Sequence, residues 1–220
     1  MTTVDQVKDR FLVKSEKNGT NDNIAVDNLI FSLLYNESQN KYLTLQLQQR
    51  GVDDVRYIQK FLILDKKISY SSKLYNKENY PLPPDYFDLA AVRGKAKKEN
   101  CSHWMHLVEV KTENVEEVLQ DEYSKPSFEW EEALYTVNAD NLSIYTDGTF
   151  TMSDVLLNYY RYPSQIRLID EQDPESKFTS NSLIEWDDKA LDDIITLMVF
   201  NLDINENNPR FQLQTIRAQK

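Results

Sequence analysis

Glu109 and Lys111 stand two apart in the run Val108-Glu109-Val110-Lys111, with Asp85 and Asp88 about twenty residues earlier. Carboxylates brought together from neighbouring strands can hold a divalent cation, and a lysine beside them can orient an attacking water for phosphodiester hydrolysis. The spacing is permissive. In a chain that is 28 % charged, a Glu-x-Lys triplet arises by chance, and the same residues read equally as an exposed strand face pairing Glu with Lys. The net charge of −11 also opposes an enzyme that must grip a phosphate backbone. A structural role is therefore expected for Asp88, Glu109 and Lys111.

The remaining chemistry-bearing residues are sparse. His103 and His106, the only two histidines, lie three apart on an expected strand, so they point to opposite faces and cannot share one metal without a bulge. Cys101 shares the face of His103, but two ligands do not make a zinc site. No Gly-x-Ser-x-Gly elbow is present, and Cys101 has no spacing motif that would supply a base. The four glycines, Gly19, Gly51, Gly94 and Gly148, stand too far apart for a phosphate-cradling loop. Tyrosines such as Tyr80, Tyr86, Tyr135, Tyr159 and Tyr160 suit a sheet or a subunit interface better than a carbohydrate or base-stacking surface. No catalytic residue, metal or cofactor is expected, and a restriction-like nuclease using Asp88, Glu109 and Lys111 is the alternative.

The elements that must position these residues fall into three blocks. At 220 residues the chain fits one large domain or a domain carrying an inserted subdomain. Residues 4–17 suit a short helix stopped near Asn18-Gly19, and Thr20 to Asn23 offer caps for a second helix over about 24–50. Its apolar positions Leu29, Ile30, Leu33, Leu34, Tyr42, Leu45 and Leu47 recur at helical spacing. Asp53-Asp54 would cap a third helix over 53–65. The prolines at 81, 83 and 84 open a β-rich middle: strands at 87–92 and 104–110 around the lysine-rich turn 95–100, a short helix capped by Thr112, strands at 134–137 and 142–145, and a hairpin at Asp147-Gly148 returning through 155–160. That describes an antiparallel meander of four to six strands.

Ser182 and Glu185 resemble a capping box ahead of a closing helix, whose stripe of Leu191, Ile194, Ile195, Met198, Val199 and Leu202 should pack on the first helices. The expected fold class is α+β. N- and C-terminal helices form an antiparallel bundle (1–65 and 171–204), residues 66–170 a central antiparallel β-domain, and 205–220 an extended arm. No apolar run reaches the length of a membrane span and the N-terminus lacks a basic, apolar leader, so a soluble protein without a membrane partner is expected, made and used, or packaged, inside a cell. Single Cys101 excludes an internal disulfide.

Several runs resemble one family. Asp27-Asn28-Leu29-Ile30 through Asn36-Glu37-Ser38-Gln39-Asn40-Lys41-Tyr42 resembles the second helix of phage tail adaptor proteins, and Tyr80-Pro81-Leu82-Pro83-Pro84-Asp85-Tyr86 their lead into the sheet. Lys125-Pro126-Ser127-Phe128-Glu129-Trp130, Tyr159-Tyr160-Arg161-Tyr162-Pro163, the helix from Leu183 to Val199 and Pro209-Arg210-Phe211-Gln212 resemble further elements in the same order. The closing helix departs from the pattern, with Trp186 near the position of the family's proline and Phe200 in place of a small residue. The resemblance, spanning about 24–215, is to ring-forming tail or head-to-tail connector proteins of short-tailed, crAss-like bacteriophages. It implies a non-enzymatic part of the virion, made in the host cytoplasm: a twelvefold ring of identical copies below the portal, contacting portal and neighbouring tail rings, with DNA passing through its lumen without specific binding.

Two further expectations follow from charge and pattern. An acidic wall would repel DNA and keep it moving, and Glu37, Asp53 and Asp54 are candidates to line it. Beyond Asn201 the cluster Asn205-Glu206-Asn207-Asn208-Pro209 should break the helix. Phe211, Leu213 and Ile216 then alternate with Gln212, Gln214 and Thr215, and Arg210, Arg217 and Lys220 add positive charge, as in a strand-adding assembly arm starting at Pro209.

Overall fold

A computed structural model of the protein describes residues 2–17, 26–48, 57–168 and 184–207. The chain divides into two compact units, Met1–Lys60 with Pro163–Lys220, and Phe61–Tyr162. The class is α+β.

In the first unit, α1 (Val4–Lys17), α2 (Asn28–Gln48) and α4 (Asp188–Asn207) supply the core. α4 contacts both α1 and α2, and its stripe Leu191, Ile194, Ile195, Met198, Val199 and Leu202 is buried throughout. Phe11 of α1 meets Phe31 of α2 with ring centroids 5.8 Å apart. Lys14 Nζ donates to Thr196 Oγ1 at 2.7 Å, tying α1 to α4. α2 starts at Asn28 because Asp27 caps it, its Oδ1 accepting from the Ile30 amide at 2.7 Å. α4 starts at Asp188 rather than near Ser182, which lies outside the described residues. Asp187 Oδ1 takes the Ala190 amide at 3.0 Å, while Glu185, expected in the capping box, accepts the Ser164 amide at 2.9 Å. The helix also runs on to Asn207, beyond its expected end near Asn201.

The returning segment 163–168 is held on α2 by side chains of α2 itself. Asn36 donates to the Ile166 carbonyl at 2.8 Å and accepts the Ile166 amide at 2.9 Å. Ser32 accepts the Leu168 amide at 2.9 Å, and Gln39 donates to the Ser164 carbonyl at 3.2 Å. These three lie at i, i+4 and i+7, one face of a helix. The buried side of α2 is thus partly polar, with every one of those groups paired.

The second unit is a curled eight-stranded sheet. In chain order the strands are β1 (Leu62–Ile68), β2 (Ser72–Leu74), β3 (Lys77–Pro81), β4 (Tyr86–Lys98), β5 (Cys101–Glu109), β6 (Glu132–Val137), β7 (Asn141–Tyr145) and β8 (Thr151–Arg161). Their spatial order is β1-β8-β4-β5-β6-β7-β3-β2. All pairs are antiparallel except β5–β6. Tyr80, Leu142, Ile144, Phe150, Val155 and Leu157 anchor the core on its inner face.

Four sequence expectations fail in this unit. The third helix does not reach 65: a single 3-10 turn at Gln59–Phe61 leads into β1, because Leu62 and Ile63 pair with Tyr160 and Tyr159 of β8, and tertiary pairing overrides local helix preference. The lysine-rich stretch 95–98 is strand, and the turn shrinks to Glu99-Asn100, with Glu99 at φ 52°. Thr112 opens a 3-10 turn and no side chain caps it. It leads into α3 (Val115–Gln120), whose Val115, Val118 and Leu119 pack on Leu134 and Tyr145 as expected.

Finally, the sheet is no meander. Asp147-Gly148 does form a turn, with Gly148 at φ 82° and the Thr149 amide donating to Asp147 Oδ1 at 2.7 Å. Yet β7 pairs with β3 and β6 whereas β8 pairs with β1 and β4, so the turn carries the chain from one part of the sheet to another.

Candidate functional site

Asp85, Asp88 and Glu109 sit among tyrosines of the sheet. Tyr159 Oη donates to Asp85 Oδ1 at 2.9 Å, and the Tyr86 ring lies 5.9 Å from that of Tyr159. Glu109 ends β5 opposite Tyr135. Asp88 stands on β4 opposite Tyr160. Burial first, and then the neighbouring carboxylates, push the phenols of Tyr86, Tyr135 and Tyr159 up to about 12. They stay protonated at neutral pH, and the Tyr159 hydroxyl serves Asp85 as a hydrogen-bond donor. Lys111 lies past the end of β5, where its carbonyl accepts the Asn114 amide at 2.9 Å. Among the described residues no three His, Cys, Asp or Glu side chains converge into a metal-binding group.

His103 faces Glu131, Nδ1 to Oε1 at 3.3 Å, with its ring edge-on to Phe128 at 5.1 Å. Cys101 is exposed at the start of β5.

Two surfaces emerge instead. The first is the outer face of α2. Leu29 and Leu33 are 57 % and 60 % exposed, and Ile30 is exposed beside them. The core-facing residues are Phe31, Leu34, Tyr35, Tyr42 and Leu43, so the helical spacing in the sequence merged two faces. α2 is apolar on both sides, a pattern belonging to a helix covered all round. Glu37 follows Leu33 one turn further along this outer face and is exposed. Asp53 and Asp54, and the arm residues Pro209, Arg210, Phe211, Leu213 and Ile216, lie outside the described residues.

The second surface is a cleft of about 570 Å³ lined by Glu122, Tyr123, Lys125, Ser127, Trp130 and Glu132, between α3 and β6. The loop that builds it is pinned at both ends. Asp121 accepts from Ser124 Oγ at 2.5 Å and from the Tyr123 amide at 3.2 Å. These bonds, the hydroxyl first, hold its carboxyl below the usual range. Ser127 and Glu132 exchange backbone bonds of 2.9 and 3.0 Å, and Ser127 Oγ accepts the Trp130 amide at 3.3 Å. Pro126 and Phe128 are buried, and Lys98 Nζ meets Glu129 Oε1 at 2.7 Å. What this scaffold presents outward is Trp130, 81 % exposed, and Tyr123, 93 % exposed. Sequence reading treated Trp130 only as part of a resembling run and passed over Tyr123. An indole in a loop between acidic residues, outside any helix or strand period, was the one signal available.

No protein-family model matches the chain, and no curated protein matches it.

Proposed function

We propose that this protein is a non-enzymatic structural ring subunit of a phage tail or head-to-tail connector. The observation that carries the reading is the apolar outer face of α2. Leu29, Ile30 and Leu33 form an exposed patch on a helix that lies inside the run resembling tail adaptors. A ring is built from heterologous contacts, one surface of a copy meeting a different surface of the next. In this account the patch is one half of that contact. The N- and C-terminal helices act as an antiparallel bundle, and twelve copies close below the portal and against neighbouring tail rings.

The −11 balance of each copy, repeated around the ring, makes a field that keeps DNA off the wall. Glu37, at the border of the patch, faces the lumen with Asp53 and Asp54. The segment from Pro209 docks as a strand on an adjacent copy or ring. The account needs no cofactor, and its setting is the virion. Electron microscopy of the purified protein tests it: closed rings are expected. Dispersed single chains that cleave DNA when Mg²⁺ is added, and lose that activity on Lys111→Ala, would replace this reading with the nuclease.

A further inference from the structure

The geometry points to the Trp130–Tyr123 cleft as a binding site for a neutral saccharide chain. The two largest exposed side chains of the loop, an indole and a phenol, both line one cleft of about 570 Å³. Exposed aromatic faces on a loop fixed by the Asp121 turn and the Ser127–Glu132 bridge are held ready at little ordering cost. Between them stand Glu122, Glu132, Lys125 and Ser127. The two carboxylates and the ammonium make no hydrogen bond or ion pair among the described residues, so their acceptor and donor positions are open to a ligand. A pyranose ring with equatorial substituents has the matching chemistry, an apolar C–H face for the aromatic ring and a rim of hydroxyls that both donate and accept.

Other ligand classes fit less well. Two glutamates against one lysine disfavour a phosphate or a nucleic acid. An extended peptide would need an open strand edge, but β6 is flanked on both sides, by β5 and β7. Neutral, β-1,4-linked oligosaccharides satisfy stacking and hydrogen bonding together. The inference does not depend on ring assembly.

Intrinsic fluorescence of the full chain carrying Trp104→Phe tests it, because that change removes the other exposed indole while Trp186 is buried. The probes are cellohexaose, xylohexaose and chitohexaose. A saturable change is expected with at least one of them, unaltered by 0.5 M NaCl. Isothermal titration calorimetry, which needs no indole reporter, should show affinity about tenfold or more weaker in Trp130→Ala and in Tyr123→Ala, and retained in Trp130→Phe, which keeps an aromatic face. Absence of saturable binding by all three sugars, binding that survives Trp130→Ala, or salt-sensitive binding of pentalysine alone would each overturn the proposal.

Discussion

α2 and α4 are of similar length and touch each other, yet they distribute their apolar residues in opposite ways. α4 keeps Leu191, Ile194, Ile195, Met198, Val199 and Leu202 inside and turns Asp188, Asp192, Asp193 and Thr196 outward, with Phe200 its one exposed large apolar side chain among the described residues. α2 buries Ser32, Ser38 and Gln39 with its aromatics and turns Leu29, Ile30 and Leu33 outward. A helix whose hydrophobic stripe is satisfied within its own chain is a folding element. A helix that spends polar side chains inward, on the 163–168 segment, and leaves leucines outside has a second surface to cover.

The sharpest way to break this contrast is to truncate one residue on each helix. Ile194→Ala removes atoms from a fully buried site and should cost about 2–5 kcal/mol in urea unfolding. Leu33→Ala should change the stability of a single chain by less than about 0.5 kcal/mol. Equal losses would mean that the outer face of α2 is already covered. Next in size, Asn36→Leu should cost about 1–3 kcal/mol, because the Ile166 amide and carbonyl both lose their partner. A neutral result would show that the segment is held by its apolar residues, Ile166 and Leu168, and not by the polar face of α2.

The same contrast explains how much the sequence disclosed. α4 was legible because one period and one face coincide, and all six of its predicted stripe residues are inside. α2 was legible as a helix but not in its orientation: Leu29, Ile30 and Leu33 of its expected apolar positions face outward, and only the bonds of Ser32, Asn36 and Gln39 to 164–168 reveal its partly polar buried side. In the sheet, strand positions such as 134–137 and 142–145 could be read from β-branched and aromatic runs. Strand order could not, since Asp147-Gly148 looks the same in a hairpin and in a crossing connection. β1 was misread for a related reason, its partner β8 lying far along the chain. The Trp130 cleft depends on the Asp121 turn and the Ser127–Glu132 bridge, which leave no period to detect.

The loop of the sheet unit offers a smaller, pH-dependent effect. The Asp121 carboxyl is held below its ordinary value by Ser124 Oγ and then the Tyr123 amide. That stabilisation is present above the unfolded-state value, near 3.8, and is lost as pH falls through the lower folded-state value. Trp130 emission should therefore shift in acid before the rest of the chain unfolds, and Asp121→Asn should show the shifted signal at neutral pH. Constant emission down to global unfolding would remove Asp121 as the pin of the loop. Smallest of all, Thr136→Val should leave stability within about 0.5 kcal/mol or raise it, because the buried Thr136 Oγ1 has no hydrogen-bond partner among the described residues. A clear loss in calorimetry would point to a bond at that hydroxyl.

The central claim, that the outer face of α2 is a contact between copies, is tested most directly by solution mass. Sedimentation of the wild type and of Leu33→Glu, at concentrations spanning the micromolar range, compares the two. The account predicts a closed assembly far above the 25.9 kDa of one chain for the wild type, and single folded chains for the variant, since a charge on the patch cannot be buried unpaired. A wild type that stays at the mass of one chain, or a variant that assembles as the wild type does, would contradict it.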